Sequence, residues 1–442
     1  MSAQLAKPVL CRAGCARSNV TPPVGTPMAG YFHDRIGETV RDDLFAHAVV
    51  IDHGGVQVAI VSCDLVSIDG DLARPTKALI QEQTGIPPER VLISATHTHT
   101  GPEIRESGIT KCDGEYVGRL PAMIARAVGE AAENMFLATL HPGRTSVEGL
   151  AHNRLFRMKD GQEVFGAGNR PDLVVGVAGP TDPEMVTLGI VDEQGRLRCL
   201  VTCYALHVDV IGGGTANFLS ADWPGELSRA IQCVYGEDVV SVFLQGTSGD
   251  INHRVHSPTH LPTGGVPKAI QIGRAIAGTA MYATERAEPM TELCLDAALE
   301  KIAIPYYTRD QALLDEIAEL KQRESLGDFE QFLVDRTESW PHDGQSVDVT
   351  IQTIRIGDLA LAALPAEIFV RIGLEIKHFS PARDTMVVSL ANDLVTYYVP
   401  TTDQAERGAY GAKPILSRWL CSDAGRRMAD HAQVMLHKLW PG

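Results

Sequence analysis

The chain has 442 residues, enough to bury a large core, and its 44% hydrophobic and 21% charged residues are those of an ordinary globular protein. Its 55 acidic against 39 basic residues give a formal charge of −16. That balance argues against nucleic acid or an anionic membrane surface as the main partner, while leaving room for a local cationic pocket.

The N-terminal MSAQLAKPVLCRAGCARSNV has no apolar run of secretory length, and no later stretch approaches a membrane span. Residues 12–31 pass through Asn19-Val20-Thr21-Pro22-Pro23 to Gly25 and Gly30, a Pro/Gly-punctuated lead-in. Ala46–Ile51 and Val56–Val61 read as a hairpin around Asp52–Gly55, with Asp64 directly after it. Asp71–Thr84 has helical spacing. The apolar run Val91–Ile93 then reads as a buried strand that empties into Thr96-His97-Thr98-His99 and is stopped by Thr100-Gly101-Pro102. Side chains two apart on an extended segment share a face. His97 and His99 are therefore expected to face one cavity, where paired imidazoles suit metal binding or proton transfer. Taken alone, the motif also reads as an extended Thr/His surface strand.

Gly114–Asn134 is a strong amphipathic helix. Residues 136–180 read as loops, including Ala151-His152-Asn153-Arg154 and Gly168-Asn169-Arg170, which suit either a substrate-facing excursion or a surface insertion. Met185–Asp192 and Leu197–Leu206 read as strands, the second ending at His207 ahead of Gly212-Gly213-Gly214. Asp222 leads into a helix through Gly225–Tyr235 and reads either as its N-cap or as a residue that touches substrate. The strand Val239–Leu244 is followed by Gln245-Gly246-Thr247-Ser248-Gly249-Asp250-Ile251-Asn252-His253, a small-residue turn that suits backbone amides near a bound group. His253, His256 and His260 look metal-like in text but read as a solvated loop.

Gly273–Arg286 reads as a helix, Leu293–Ile304 as a strand and Asp310–Glu324 as a charged amphipathic helix. Val347–Ile356 and Leu359–Leu364 are strands, the second leading to Pro365-Ala366-Glu367. Met386–Leu390 is a further strand, leading to Tyr397-Tyr398-Val399-Pro400-Thr401-Thr402, and Arg418–Trp440 closes the chain as a helix. The alternation predicts an α/β fold with a mixed, largely parallel central sheet flanked by helices and functional residues at the carboxyl ends of strands. The nine cysteines are scattered, with C-x3-C spacing at Cys11/Cys15 and Cys199/Cys203, and read as small core residues in a reducing, cytoplasmic compartment.

Separate strand ends thus offer His97 with His99, His207, Glu367, and Tyr397 with Tyr398. Two histidines and a carboxylate make a zinc shell with an open position, and tyrosinate is a rarer fourth ligand. These residues resemble the neutral ceramidase family. The similar text is Asn19-Val-Thr-Pro-Pro-Val-Gly25, Thr96-His-Thr-His-Thr-Gly-Pro102, the strand ending at His207, Pro365-Ala-Glu367, and Tyr398-Val-Pro-Thr-Thr402 with Tyr410, in the same order. The resemblance implies a single catalytic domain over 1–442 and one zinc ion held by His97, His207, Glu367 and Tyr398. It further implies His99 beside the metal for proton transfer, and Arg154 and Tyr410 as active-site residues. Three departures stand out. Asn252 takes the place of the family's serine, no immunoglobulin-like domain is expected after the closing helix, and no secretory signal or hydrophobic membrane-facing segment is expected. In these it resembles the shorter bacterial members reading Gly249-Asp250-Ile251-Asn252.

The function expected is zinc-assisted hydrolysis of a non-peptide amide in a small molecule, with Asn153, Asp222, Gly246 and Asn252 touching substrate. Arg154 suits a carboxylate on that substrate or a nearby aspartate, and Tyr410 with the Gly246–Gly249 amides suits an oxyanion. A metal-dependent esterase or a phosphoesterase with a second metal on Asp64, Asp222 and Asp250 is the first alternative. A ceramidase acting on N-acylsphingosine and an inactive binding protein are the others. No stable membrane association is expected, and a homo-oligomer is compatible with the sequence.

Overall fold

The strand Cys11–Asn19, which falls in the segment that reads as a lead-in, lies in the middle of the larger sheet. Its weak apolar pattern has a steric cause. A Cβ on Gly14 would fall 1.8 Å from the carbonyl oxygen of Ala131, so the helix Gly114–Glu133 lies too close for a larger side chain. The computed structural model describes residues 6–31, 33–105, 110–165, 171–212, 214–254, 260–407 and 411–441. Tyr410, His256, Gly213 and the 168–170 segment lie outside the described residues.

Across the eight-stranded sheet the strands run Val240–Gln245, Leu197–Tyr204, Glu184–Asp192, Phe136–Ser146, Cys11–Asn19, Phe45–His53, Val56–Cys63 and Val91–Ala95. A second, four-stranded sheet is formed by Leu295–Pro305, Ser346–Ile356, Leu359–Ala363 and Asp384–Val388. The α/β class and the mixed sheet flanked by helices are as expected, but the pairing is mostly antiparallel. Hairpins such as Phe45–His53 with Val56–Cys63 set that direction. Parallel pairing in the two sheets is confined to Val56–Cys63 with Val91–Ala95, Leu197–Tyr204 with Val240–Gln245, and Leu359–Ala363 with Asp384–Val388. Each of these pairs is bridged by a helix.

The strand Phe136–Ser146 was hidden by Pro142-Gly143. Pro142 pairs with Leu188 on one side, while pairing with the Cys11–Asn19 strand on the other stops at Ala138, so its missing N–H breaks no ladder there. Gly143 admits the helix Gly265–Glu285, since a Cβ would meet the Ala283 carbonyl at 3.0 Å. That helix starts at Gly265 rather than Gly273, and the closing helix spans Ala424–Leu439.

The two sheets stack face to face. Val49, Ile51, Val58 and Ile60 of the first meet Ile354, Leu361 and Met386 of the second. Alternate residues of the same strands, Ala48, Val50, Ala59 and Val61, bury against Ile80, Leu120 and Ile124 of the helices outside. Trp223, Leu227 and Ile276 cover the other half of that face, and Ile372, Met428 and Leu436 cover the second sheet. The architecture is helix, sheet, sheet, helix. Strands buried on both faces read as continuous apolar runs, and each fully buried Val, Leu or Ile contributes about 1.5–3 kcal/mol. No helix among the described residues is long and apolar enough to cross a membrane. The described cysteines are free.

The parallel pairs place the site. Cys63 is opposite Ala95, Tyr204 opposite Gln245, and Ala363 opposite Val388, so all three pairs release their chains at carboxyl ends. The loops after these ends are tied together: Ser389 N–H donates to the Gln245 carbonyl at 2.9 Å, and Asn392 N–H to the Ile93 carbonyl at 2.8 Å.

Candidate metal centre

His97 follows the Val91–Ala95 strand by two residues, and its backbone is left-handed, with φ of 74°. The segment is therefore not extended at His97, and the two-apart rule does not explain why His97 and His99 meet. The turn does it, with His97 N–H donating to the Leu65 carbonyl at 2.9 Å and His99 N–H to the Val208 carbonyl at 3.1 Å. Strain of this kind costs on the order of 1–3 kcal/mol and gathers at functional sites. His207 is fixed by Trp223, whose indole N–H donates to the His207 carbonyl at 3.1 Å. Glu367 and Tyr398 are brought together by a two-stranded parallel pairing in which they stand directly opposite.

These side chains converge. Nε2 of His97 lies 3.2 Å from Nε2 of His207 and 3.2 Å from Nε2 of His99. Oε2 of Glu367 lies 3.3 Å from Nε2 of His97 and 3.9 Å from Nε2 of His207. The Tyr398 hydroxyl accepts from Nη2 of Arg154 at 3.1 Å, and the same nitrogen donates to the Gly249 carbonyl at 2.5 Å. Burial first, then the charge of His97, holds the His99 imidazole well below its ordinary range. Burial, then Arg154 and the other two imidazoles, does the same for His207. Both are neutral at neutral pH, the form that binds metal.

The donor set fits a divalent cation. Nδ1 of His97 faces the Val66 carbonyl at 2.7 Å and Nδ1 of His207 faces the Ser248 carbonyl at 3.4 Å. A carbonyl only accepts, so in the neutral rings each Nδ1 carries the proton and each Nε2 presents a lone pair. With both rings in that form, two lone pairs face each other in a buried site beside Oε2 of Glu367. A cation resolves that repulsion, and two imidazoles with a carboxylate suit zinc. His99 belongs to the same group: the ligand atoms of His97, His99 and His207 all lie within 4.8 Å of one another.

The group lines a cavity of about 250 Å³ whose walls include Arg154, Asn252, Tyr397 and Tyr398. Asn252 orients the turn after it, its Oδ1 accepting from the backbone N–H of His253 at 2.7 Å and of Arg254 at 3.3 Å. Other expected substrate contacts are engaged inside the fold. Asn153 donates to Asp250 at 2.8 Å and to the Pro180 carbonyl at 2.9 Å. Asp222 is not the N-cap. It is the first helical residue, with φ of 55°, and its carboxylate accepts from the N–H groups of Val210, Ile211 and Trp223. Gly246 lies against the Tyr204–Ala205 backbone, where a Cβ would come within 2.8 Å. The N–H groups of Gly246 and Gly249 donate to the carbonyls of Tyr204 and Ile368, so they are not free to receive an oxyanion.

Asp64 accepts from Phe45 N–H at 2.9 Å, and Asp250 from Val370 N–H at 2.8 Å and from Asn153. With Asp222 also engaged, these three carboxylates do not form a second metal shell. His253 is buried rather than solvated, and burial pushes its imidazole down to about 4. Sequence reasoning missed Gly30, Tyr31, Arg105 and Asp209 on the cavity wall. A Cβ on Gly30 would fall 2.6 Å from Nδ1 of His99, and only the Pro/Gly punctuation before it hinted at a fixed backbone.

No protein-family model matches the sequence, and no curated protein matches it. Among solved structures the chain is similar to neutral ceramidase from Pseudomonas aeruginosa, with a TM-score of 0.77 and 18% identity over 98% of this chain and 74% of that one. It is similar also to a ceramidase complexed with C2, with a TM-score of 0.74 and 18% identity over 98% of this chain and 75% of that one. Over nearly its whole length, the chain has the fold of the neutral ceramidases.

Proposed function

We propose that the chain is a metal-dependent hydrolase that cleaves a non-peptide amide bond of a small molecule, acting as one catalytic domain over 1–442. One zinc ion per chain is assigned to His97, His207, Glu367 and Tyr398. The observation that carries this reading is the pair of facing Nε2 lone pairs beside the buried Glu367 carboxylate, at the wall of a cavity. When bound, the ion supplies Lewis acidity toward the amide carbonyl and makes water more acidic.

The chain supplies the rest. His99, neutral and buried against His97, takes a proton from the attacking water and returns it to the leaving nitrogen. Arg154 holds the Tyr398 hydroxyl as an acceptor and fixes its orientation toward the cavity. That contact supports a positioning role for Arg154. Tyr410 is assigned to oxyanion stabilisation on the strength of the sequence resemblance, and Asn252 to the substrate-facing wall. A second reading, hydrolysis of N-acylsphingosine itself, draws on the likeness to ceramidase structures.

The test follows amine release from a panel of N-acyl amides with zinc-loaded protein, before and after a chelator. Zinc-dependent release, lost in His97→Ala, supports the reading. Turnover of aryl phosphates or simple esters without any amide overturns it.

A further inference from the structure

The acidic and basic groups on the cavity wall balance: Arg105, Arg154 and Arg254 stand against Glu103, Asp209 and Glu367. Two of these arginines are engaged. Arg105 makes a bidentate pair with Glu103, both contacts 2.9 Å, and Arg154 holds Gly249 and Tyr398. Asp209 accepts from the Tyr31 hydroxyl. Arg254 differs from the other two. It is exposed at the cavity rim, and its guanidinium makes no hydrogen bond or ion pair with any described residue. Its backbone is nevertheless fixed, because Asn252 accepts from its N–H.

A chain of net charge −16 repels anions at long range. An exposed guanidinium at the mouth of its cavity, with no hydrogen bond to any described residue although its charge also acts on the Asp209 carboxylate, offsets that locally, and its planar fork matches a carboxylate. We propose that Arg254 selects the substrate: it receives the carboxylate of a small anionic amide, so that the substrate is an N-acylated amino acid or a similar carboxylate-bearing amide rather than a neutral lipid amide. The scissile bond in this proposal rests on the amide-hydrolase reading, but anion capture by Arg254 does not.

The test uses the full-length protein and matched probes. N-acetyl-, N-hexanoyl- and N-dodecanoylglycine are compared with the corresponding glycinamides by calorimetry on wild type and Arg254→Gln. At least one carboxylate should bind about tenfold more tightly than its amide in wild type, with the preference lost in Arg254→Gln and the glycinamide affinity unchanged. Equal binding of acid and amide at every chain length, or a preference that survives Arg254→Gln, overturns the proposal. Zinc-dependent turnover of the same probes is read separately. Selective binding without hydrolysis leaves Arg254 as the anion site and defeats the hydrolase reading. Hydrolysis without carboxylate preference does the reverse.

Discussion

Asp250→Asn tests how the site is held together. The Asp250 carboxylate is fully buried, with Oδ1 accepting from Val370 N–H at 2.8 Å and Oδ2 from Nδ2 of Asn153 at 2.8 Å. It thereby ties the turn after Gln245 to the segment carrying Arg154 and to the helix that follows Glu367. In the asparagine variant one oxygen becomes an NH2 group, which must face a donor whichever way it turns. Asn153 cannot relieve the clash by rotating, because its Oδ1 accepts from Leu155 N–H at 3.0 Å and its Nδ2 also serves Pro180. A charge-assisted bond to a buried donor is lost and that donor is left bare, while the cost of burying a charge is relieved. The balance is a loss of about 2–4 kcal/mol. Urea unfolding followed by tryptophan fluorescence, with Trp223 buried near the site, measures it. Zinc affinity should fall with stability. A loss under about 1 kcal/mol would refute the hydrogen-bond argument.

Three further outcomes are expected. Gly30→Ala places a methyl 2.6 Å from Nδ1 of His99 at a φ of +100°, so activity should fall at least tenfold and stability by about 1–3 kcal/mol; an unaltered kcat contradicts the contact. Tyr398→Phe removes the acceptor of Arg154 Nη2 and should lower kcat about 100-fold with under 1 kcal/mol lost in urea unfolding; wild-type turnover would remove the hydroxyl from the chemistry. His253 is pushed down from 6.5 to about 4 by burial, so unfolded chains bind a proton in that window that the native state resists. The stability from keeping it neutral is complete above about pH 6.5 and lost as pH falls toward 4, amounting to about 2–3 kcal/mol by pH 4.5. The unfolding free energy of wild type minus His253→Gln should narrow by that amount. The difference is the quantity to read, because burial raises Asp222 to about 7 and acts in the opposite sense in both proteins. A gap that stays constant contradicts the assignment.

Strands with continuous apolar text, such as Val56–Cys63 and Val91–Ala95, were legible because both of their faces are buried. Cys11–Asn19 and Phe136–Ser146 were not, because helices press so closely on Gly14 and Gly143 that glycine replaces a core side chain. Reading loops there left the main sheet with too many parallel neighbours. His97 and His207 sit just beyond strands, and Glu367 and Tyr398 open a short parallel pair, so these expected residues come together even though the left-handed turn at His97 defeats the extended-strand argument. Asn153, Asp222 and Gly246 show the opposite limit. Polar and small residues in turns carry the same text whether they face a ligand or brace the backbone behind it. Only their hydrogen bonds distinguish the two. Arg254 carried no motif, and its importance comes from what the other cavity arginines already hold.

In the proposed function a single metal is held by residues from distant parts of the chain. Elemental analysis of purified wild type and His207→Ala, each reconstituted with zinc and desalted, tests it most directly. About one zinc per wild-type chain is expected, with that zinc lost in the variant. No zinc in wild type, or equal zinc in both proteins, would contradict it.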